Sequence, residues 1–200
     1  MGRVTIAFAS AAEFRAMDDD LPLLLDAARR RGIEAEIAIW DDPGVDCDTA
    51  RWTSSGDVYA HSAELMAAGR TSMTQPYIAS VDDEGETAML FFGGRFSHAI
   101  RKGAILARGE GVRQDRDGRG ENPVAREPSE AQHRVAAQAL AAVDDIVGSD
   151  ARLMYARVDL VTASDGSPLV IELELTEPSL FLPWSNGGAE RLMDAIANRV

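Results

Sequence analysis

Two short runs in the C-terminal quarter, Tyr155 to Leu160 and Val170 to Leu175, alternate apolar and charged residues on either side of Ser164-Asp165-Gly166-Ser167. Alternation of period two marks a strand with two distinct faces, and Asp-Gly in a short polar interval is a strong hairpin signal. A chain with this pair is committed to antiparallel pairing there, and the pairing decides which side chains meet. Residues two apart share a face, so Arg157 and Asp159 project together, as do Glu172 and Glu174. In register, three carboxylates and one guanidinium would gather on one surface. Carboxylates that close repel unless a hard cation sits among them, and Mg²⁺ takes oxygen ligands of this kind, usually shared with substrate phosphates. A metal–nucleotide site is one reading. The other is a solvated strand face whose charges only keep the protein soluble. Under either, Val158, Leu160, Val170, Leu173 and Leu175 fill the core.

The fuller motif runs Tyr155-Ala156-Arg157-Val158-Asp159, the turn, then Ile171-Glu172-Leu173-Glu174-Leu175-Thr176-Glu177-Pro178 and on to Leu182. It resembles the C-terminal metal-binding hairpin of the ATP-grasp ligases, such as glutathione synthetase and D-alanine–D-alanine ligase. The phrasing looks most like the bacterial ATP-grasp proteins that include the D-cycloserine synthetases. The resemblance implies ATP and Mg²⁺ (or Mn²⁺) as cofactors, Asp159, Glu172 and Glu174 as metal ligands, and Arg157 as the catalytic arginine. It also implies a carboxylate–amine ligase that acts through an acylphosphate on a small amino-acid-like substrate.

Bulk properties exclude more than they select. A net charge of −13 argues against nucleic acid, whose phosphates need a basic face. The single Cys47 allows no intrachain disulfide and no zinc cluster. No stretch reaches the ~20 apolar residues of a membrane span, and no charged-then-apolar leader opens the chain, so a cytoplasmic protein without a membrane partner is expected. Lys102 is the only lysine.

Residues 1–46 read as a β-α-β unit. Val4 to Ala9 is a continuous apolar run of the kind buried parallel strands show, and Ile33 to Trp40 is the second strand. Between them Leu21 to Arg31 is a helix. Asp18-Asp19-Asp20 lies at its positive end and Arg29-Arg30-Arg31 at its negative end, with Gly32 as the stop. The acidic run reads as a solvated cap. Ala9-Ser10-Ala11-Ala12 makes a poor dinucleotide loop. Under the resemblance this is a partial N-terminal domain that helps to frame the acceptor substrate. The family places more structure after it, including a lysine-bearing ATP-binding subdomain. The join at residues 47–49 therefore reads as an internal deletion, or as segments omitted and closed up.

Residues 49–200 are expected to form the ATP-grasp C-terminal subdomain: α/β (α+β), with a mainly antiparallel sheet and flanking helices. Val58 to Ala68 is a helix, and Met73 to Ile78 a strand that resembles the family's hinge. By position Gln75, Tyr77 and Ile78 would hold adenine there, with an edge strand carrying Pro76 as the plain alternative. In the acidic loop Asp82 to Thr87, Glu86 matches the ribose ligand. Met89 to Lys102 is a second hairpin about Gly93-Gly94. On its return strand Arg101 matches the family arginine that reaches the phosphoryl group or the substrate carboxylate, since a planar guanidinium binds oxyanions bidentately. Lys102 would help hold phosphate or else be a solvated strand end; His98 would contact substrate or else be a satisfied strand residue. Arg108 to Arg126 is glycine-rich and charged, a connector or a lid whose Arg113 would meet substrate. A helix follows from Ser129, boxed by Gln132, to Val147 with Val135, Ala139, Leu140, Val143 and Ile146 inward, and Ala189 to Asn198 is the last. The front unit, lacking the rest of its sheet, would dock on the C-terminal domain or pair with another copy in a homodimer. Two further function classes stand beside the ligase: a non-catalytic remnant that keeps metal or nucleotide affinity, and an acidic protein-interaction domain.

Overall fold

The computed structural model describes residues 5–10, 20–32, 34–39, 49–69, 72, 74–106, 111–113, 122–147, 153–176 and 178–199. The front unit forms as its pattern predicts: strands β1 (Thr5–Ser10) and β2 (Glu34–Ile39) pair in parallel around helix α1 (Asp20–Arg30). Strand β3 (Thr49–Arg51) pairs antiparallel with β6 (Gly111–Arg113). Helix α2 (Ser55–Ala67) starts where Ser54 Oγ accepts from the backbone N–H of Gly56 and Asp57, and none of its residues is buried.

The C-terminal part is a five-stranded antiparallel sheet. Its strands are β4 (Glu86–Phe92), β5 (Arg95–Lys102), β7 (Val124–Ala125), β8 (Tyr155–Thr162) and β9 (Pro168–Glu174), in the order β7-β5-β4-β8-β9. Apolar residues on both faces of β4 and β8 make these the central strands. One face, through Met89, Phe91, Ala99, Val158 and Leu160, packs on Ala136 of helix α4 (Glu130–Val147). That helix opens with a reciprocal capping box: Gln132 N–H donates to Ser129 Oγ, and Ser129 N–H to Gln132 Oε1. The other face, through Ala88, Leu90, Phe92 and Ile100, packs on Leu192 and Met193 of helix α5 (Gly188–Ala197), on the Leu180–Leu182 segment and on Leu24, Ala27 and Ala28 of α1. Short helix α3 (Ser80–Glu84) precedes β4.

Helix α1 thus packs against α5 and the five-stranded sheet. Arg31 reaches both carboxylates of α5, Glu190 and Asp194, and Arg30 shares Glu190. The apolar α1 contact carries more weight than these partly exposed pairs, because each buried leucine is worth about 1.5–3 kcal/mol and exposed ion pairs far less.

Four expectations about elements and burial differ from the structure. Residues 74–78 are irregular and mostly exposed rather than a strand: among the described residues no strand pairs with them, and Pro76 cannot donate. The acidic stretch is half helix, Asp82 to Glu84 closing α3, and after Gly85 with φ +70° Glu86 and Thr87 already belong to β4. Ile146 is 84% exposed, past the point where α4 covers the sheet. Val170 is also largely exposed, for a reason that lies in the site itself.

Candidate functional site

Across the last hairpin Arg157 pairs with Glu174, Val158 with Leu173, and Asp159 with Glu172; the next pair is Leu160 with Val170. Ile171 is therefore an extra residue on β9, a bulge that breaks the alternation just below the acidic pair. Beyond it Leu169 and Val170 face solvent at the sheet edge instead of entering the core. The turn is fixed locally: Asp165 Oδ1 accepts from Ser167 N–H and Oγ–H, and Gly166 takes φ +83°, which only glycine adopts easily.

Arg157 occupies the middle of the cluster. Its Nε donates to Asp159 Oδ1 at 2.9 Å, Nη2 to Glu172 Oε2 at 3.2 Å, and Nη1 lies 2.6 Å from Glu174 Oε2. Asp159 is wholly buried, and from β5 Lys102 Nζ donates to its Oδ2 at 2.6 Å while lying 3.0 Å from Glu86 Oε2. The solvated strand end that Lys102 could have been is ruled out: it is 5% exposed. Burial presses the Arg157 guanidinium and the Lys102 ammonium toward neutrality. Their carboxylate neighbours outweigh it, so both hold their charge above the ordinary range.

Glu174 behaves differently. Burial pushes its carboxyl up, Arg157 pulls it back, and the charges of Glu172 and Asp159 push it up again, with a net rise. Its Oε2 is buried and makes no hydrogen bond of good geometry despite the nearby guanidinium. A buried, ion-paired oxygen near two further carboxylates is donor chemistry suited to a hard cation. As the side chains stand, Arg157 supplies the positive charge, and among the described residues no three acidic groups converge closely enough to share one ion. A fit to Mg²⁺ therefore rests on donor type and strand register.

The remaining predicted residues divide. Tyr77 lies within electrostatic reach of Glu86. Its OH donates to Asp82 Oδ1 at 2.6 Å and its ring lies 3.4 Å from the Arg51 guanidinium carbon; burial and then the Asp82 bond push its pKa up to about 12. Gln75 and Ile78 sit on the same irregular segment, Gln75 exposed and Ile78 half-buried. Arg113 lies on β6, which pairs with β3 and is not part of the five-stranded sheet. Arg101 requires a correction. Adjacent residues of a strand point to opposite faces, and with Lys102 turned toward Asp159, Arg101 turns away. It donates to the carbonyls of Glu84 and Asp83, holding the α3–β4 corner. His98 also has a role other than the expected substrate contact. Its Nε2 donates to Leu180 O at 2.8 Å, since a carbonyl can only accept, which leaves Nδ1 to accept from Ser97 Oγ. Burial lowers its pKa to about 4.

Sequence reasoning missed two residues. Arg51 is buried and grips Asp82 with both terminal nitrogens, at 2.7 and 2.8 Å. Asp20, read as a solvated cap, accepts from the backbone N–H of Leu180, Phe181 and Leu182 at 2.7, 3.1 and 2.6 Å. Both partnerships span long sequence distances and leave no local pattern.

The model of the D-cycloserine synthetase DcsG N-terminal domain matches residues 6–55, a match that runs across the 47–49 join. The cycloserine biosynthesis protein DcsG of Streptomyces lavendulae is 46% identical over 145 residues, covering 70% of this chain and 46% of that protein. The chain thus spans about half the length of the curated relative it matches. The crystal structure of D-cycloserine synthetase DcsG has a TM-score of 0.74 at 27% identity, covering 98% of this chain and 99% of that one. The ATP-grasp ligase PsnB, complexed with minimal precursor, Mg and ADP, shares the fold at a TM-score of 0.52 and 12% identity, covering 100% and 99%.

Proposed function

We propose that this chain, which belongs to the ATP-grasp superfamily, is an ATP- and Mg²⁺-dependent ligase that joins a small amino-acid-like carboxylate to an amine. The observation that carries the reading is the register of β8 and β9, with Asp159 opposite Glu172 and Arg157 opposite Glu174 on the face that Lys102 also reaches. The cycloserine relatives support an amino-acid-like substrate, and the Mg and ADP bound by PsnB support the cofactor pair.

Mg²⁺, when bound, would neutralise phosphate oxygens during transfer; Asp159, Glu172 and Glu174 would hold it. Lys102 offers a point charge to phosphate, Glu86 an acceptor for ribose hydroxyls, and the Gln75–Ile78 segment a wall for adenine. The substrate carboxylate attacks the γ-phosphorus and ADP leaves, giving an acylphosphate. The amine then attacks the acyl carbon, inorganic phosphate departs, and the amine proton passes to solvent. The forked Nη1 and Nη2 of Arg157, now resting on Glu174 and Glu172, suit the oxyanion of that second step. Arg113 is the substrate contact proposed from the β6 side.

A second reading, nucleotide and metal binding without turnover, is motivated by Lys102 being the single lysine where the family resemblance implies a lysine-bearing ATP-binding subdomain. ADP release with Mg²⁺ and a panel of amino acids decides between them. Amino-acid-dependent release supports the ligase; tight Mg-ATP binding with no release supports the second reading.

A further inference from the structure

The segment after β9 is held from three directions at once. Both carboxylate oxygens of Asp20 take its successive N–H groups, Oδ2 from Leu180 and Phe181 and Oδ1 from Leu182. His98 Nε2 donates to the carbonyl of Leu180, so that one residue is pinned through both its N–H and its C=O. On the third side, Arg157 Nη1 lies 3.5 Å from Ser179 O, and its guanidinium carbon lies 5.8 Å from the centroid of the Phe181 ring. Phe181 is at φ +52°, ψ +37°, a left-handed conformation that an aromatic residue keeps only where its surroundings impose it. Consecutive N–H groups converging on one anion form a nest, and here the anion comes from the far end of the chain.

We propose that Asp20 is a positioning residue for Arg157, acting through the backbone of Leu180–Leu182. Its carboxylate fixes the left-handed turn, the turn sets the Phe181 ring and the Ser179 carbonyl against the guanidinium, and the guanidinium is thereby aimed along β8 at the carboxylates. The front unit then does more than frame an acceptor: it contributes one arm of the clamp that orders the reactive arginine. Only the consequence for turnover rests on the ligase reading.

The test is ¹⁵N NMR of the full chain, wild type against Asp20→Asn, with Asp26→Asn on the same helix as control. The Asn side chain retains the size but cannot accept from three N–H groups. In D20N the amides of Leu180, Phe181 and Leu182 should exchange at least tenfold faster and the Arg157 Nε–H resonance should shift and exchange faster, while D26N changes neither. Where turnover is measurable, D20N should lower kcat about tenfold, keep KM for ATP within twofold, and add nothing in an R157K background. An unchanged Arg157 Nε–H resonance in D20N, with the loop amides released, overturns the proposal. Should D20N fail to fold, Phe181→Leu reads the same link, and an unchanged Arg157 signal there overturns it equally. A wild type that turns over no Mg-ATP counts against the ligase alone, because the Nε–H signal still decides the role of Asp20.

Discussion

Lys102 Nζ stands 2.6 Å from Asp159 Oδ2, and both side chains are almost wholly shut off from solvent. Removing one partner of such a pair leaves the other charged and uncompensated, which typically costs about 3–5 kcal/mol. Asp159→Ala should lose stability of that order in urea denaturation, since it leaves the buried Lys102 with Glu86 alone among the described residues and takes a partner from Arg157. Lys102→Met should lose less, because Asp159 keeps Arg157 Nε.

Glu174 gives the acidic cluster a pH signature. Its folded carboxyl is held above the ordinary carboxylate range, by burial first and then by Glu172 and Asp159. The folded state therefore binds its proton more tightly than the unfolded state does. That stabilisation is complete below the unfolded pKa and is lost as pH rises through the elevated value. Glu174→Gln should flatten this part of the stability profile above pH 4.5, measured by urea titration at each pH. Mg²⁺, which needs the ionised form, should release a proton from the wild type on binding at mildly acidic pH, and none from the variant at this position.

His98 acts in the opposite sense. Buried and neutral, it is lowered from 6.5 to about 4, so the unfolded chain takes up a proton between those values that the folded chain refuses. Stability from this group is fully present above pH 6.5 and falls as pH drops toward 4. His98→Gln should be less stable at pH 7.5, through loss of the Leu180 contact, yet show a shallower decline between pH 6.5 and 4 by thermal melting.

The elements that proved readable are those whose information is local. Period-two alternation and Asp-Gly place β8 and β9, and the Ser129–Gln132 box places the start of α4. The shared face of Arg157, Asp159, Glu172 and Glu174 follows from the same alternation. The bulge at Ile171 does not, because nothing nearby distinguishes it from its neighbours. That Lys102 and not Arg101 faces the sheet interior turns on which of two adjacent basic residues meets Asp159, on a strand 57 residues away. Asp20 looked solvated because helix starts favour acids regardless, and its partners lie 160 residues on.

Gly85 joins α3 to the strand that carries Glu86. It holds φ +70°, and an added Cβ would stand 2.2 Å from the carbonyl oxygen of Lys102. That neighbour is backbone in a central hairpin and cannot swing aside. The ψ of −172° at Gly85 puts it in a region essentially reserved for glycine, so Gly85→Ala should destabilise the protein by more than the roughly 1–3 kcal/mol of backbone strain alone. It should also displace the Glu86–Lys102 pair; thermal melting and the Lys102 ammonium resonance would record both effects.

The central claim is that Asp159, Glu172 and Glu174 serve a divalent ion accompanying a nucleotide. Calorimetric titration of ATP, with Mg²⁺ and again with EDTA, tests it most directly on the wild type and on the Glu172→Gln, Glu174→Gln double variant. The account predicts micromolar affinity that requires Mg²⁺ and weakens at least about 100-fold in the variant, some 2.7 kcal/mol. Equal affinity in EDTA, or affinity untouched by the double substitution, would contradict it.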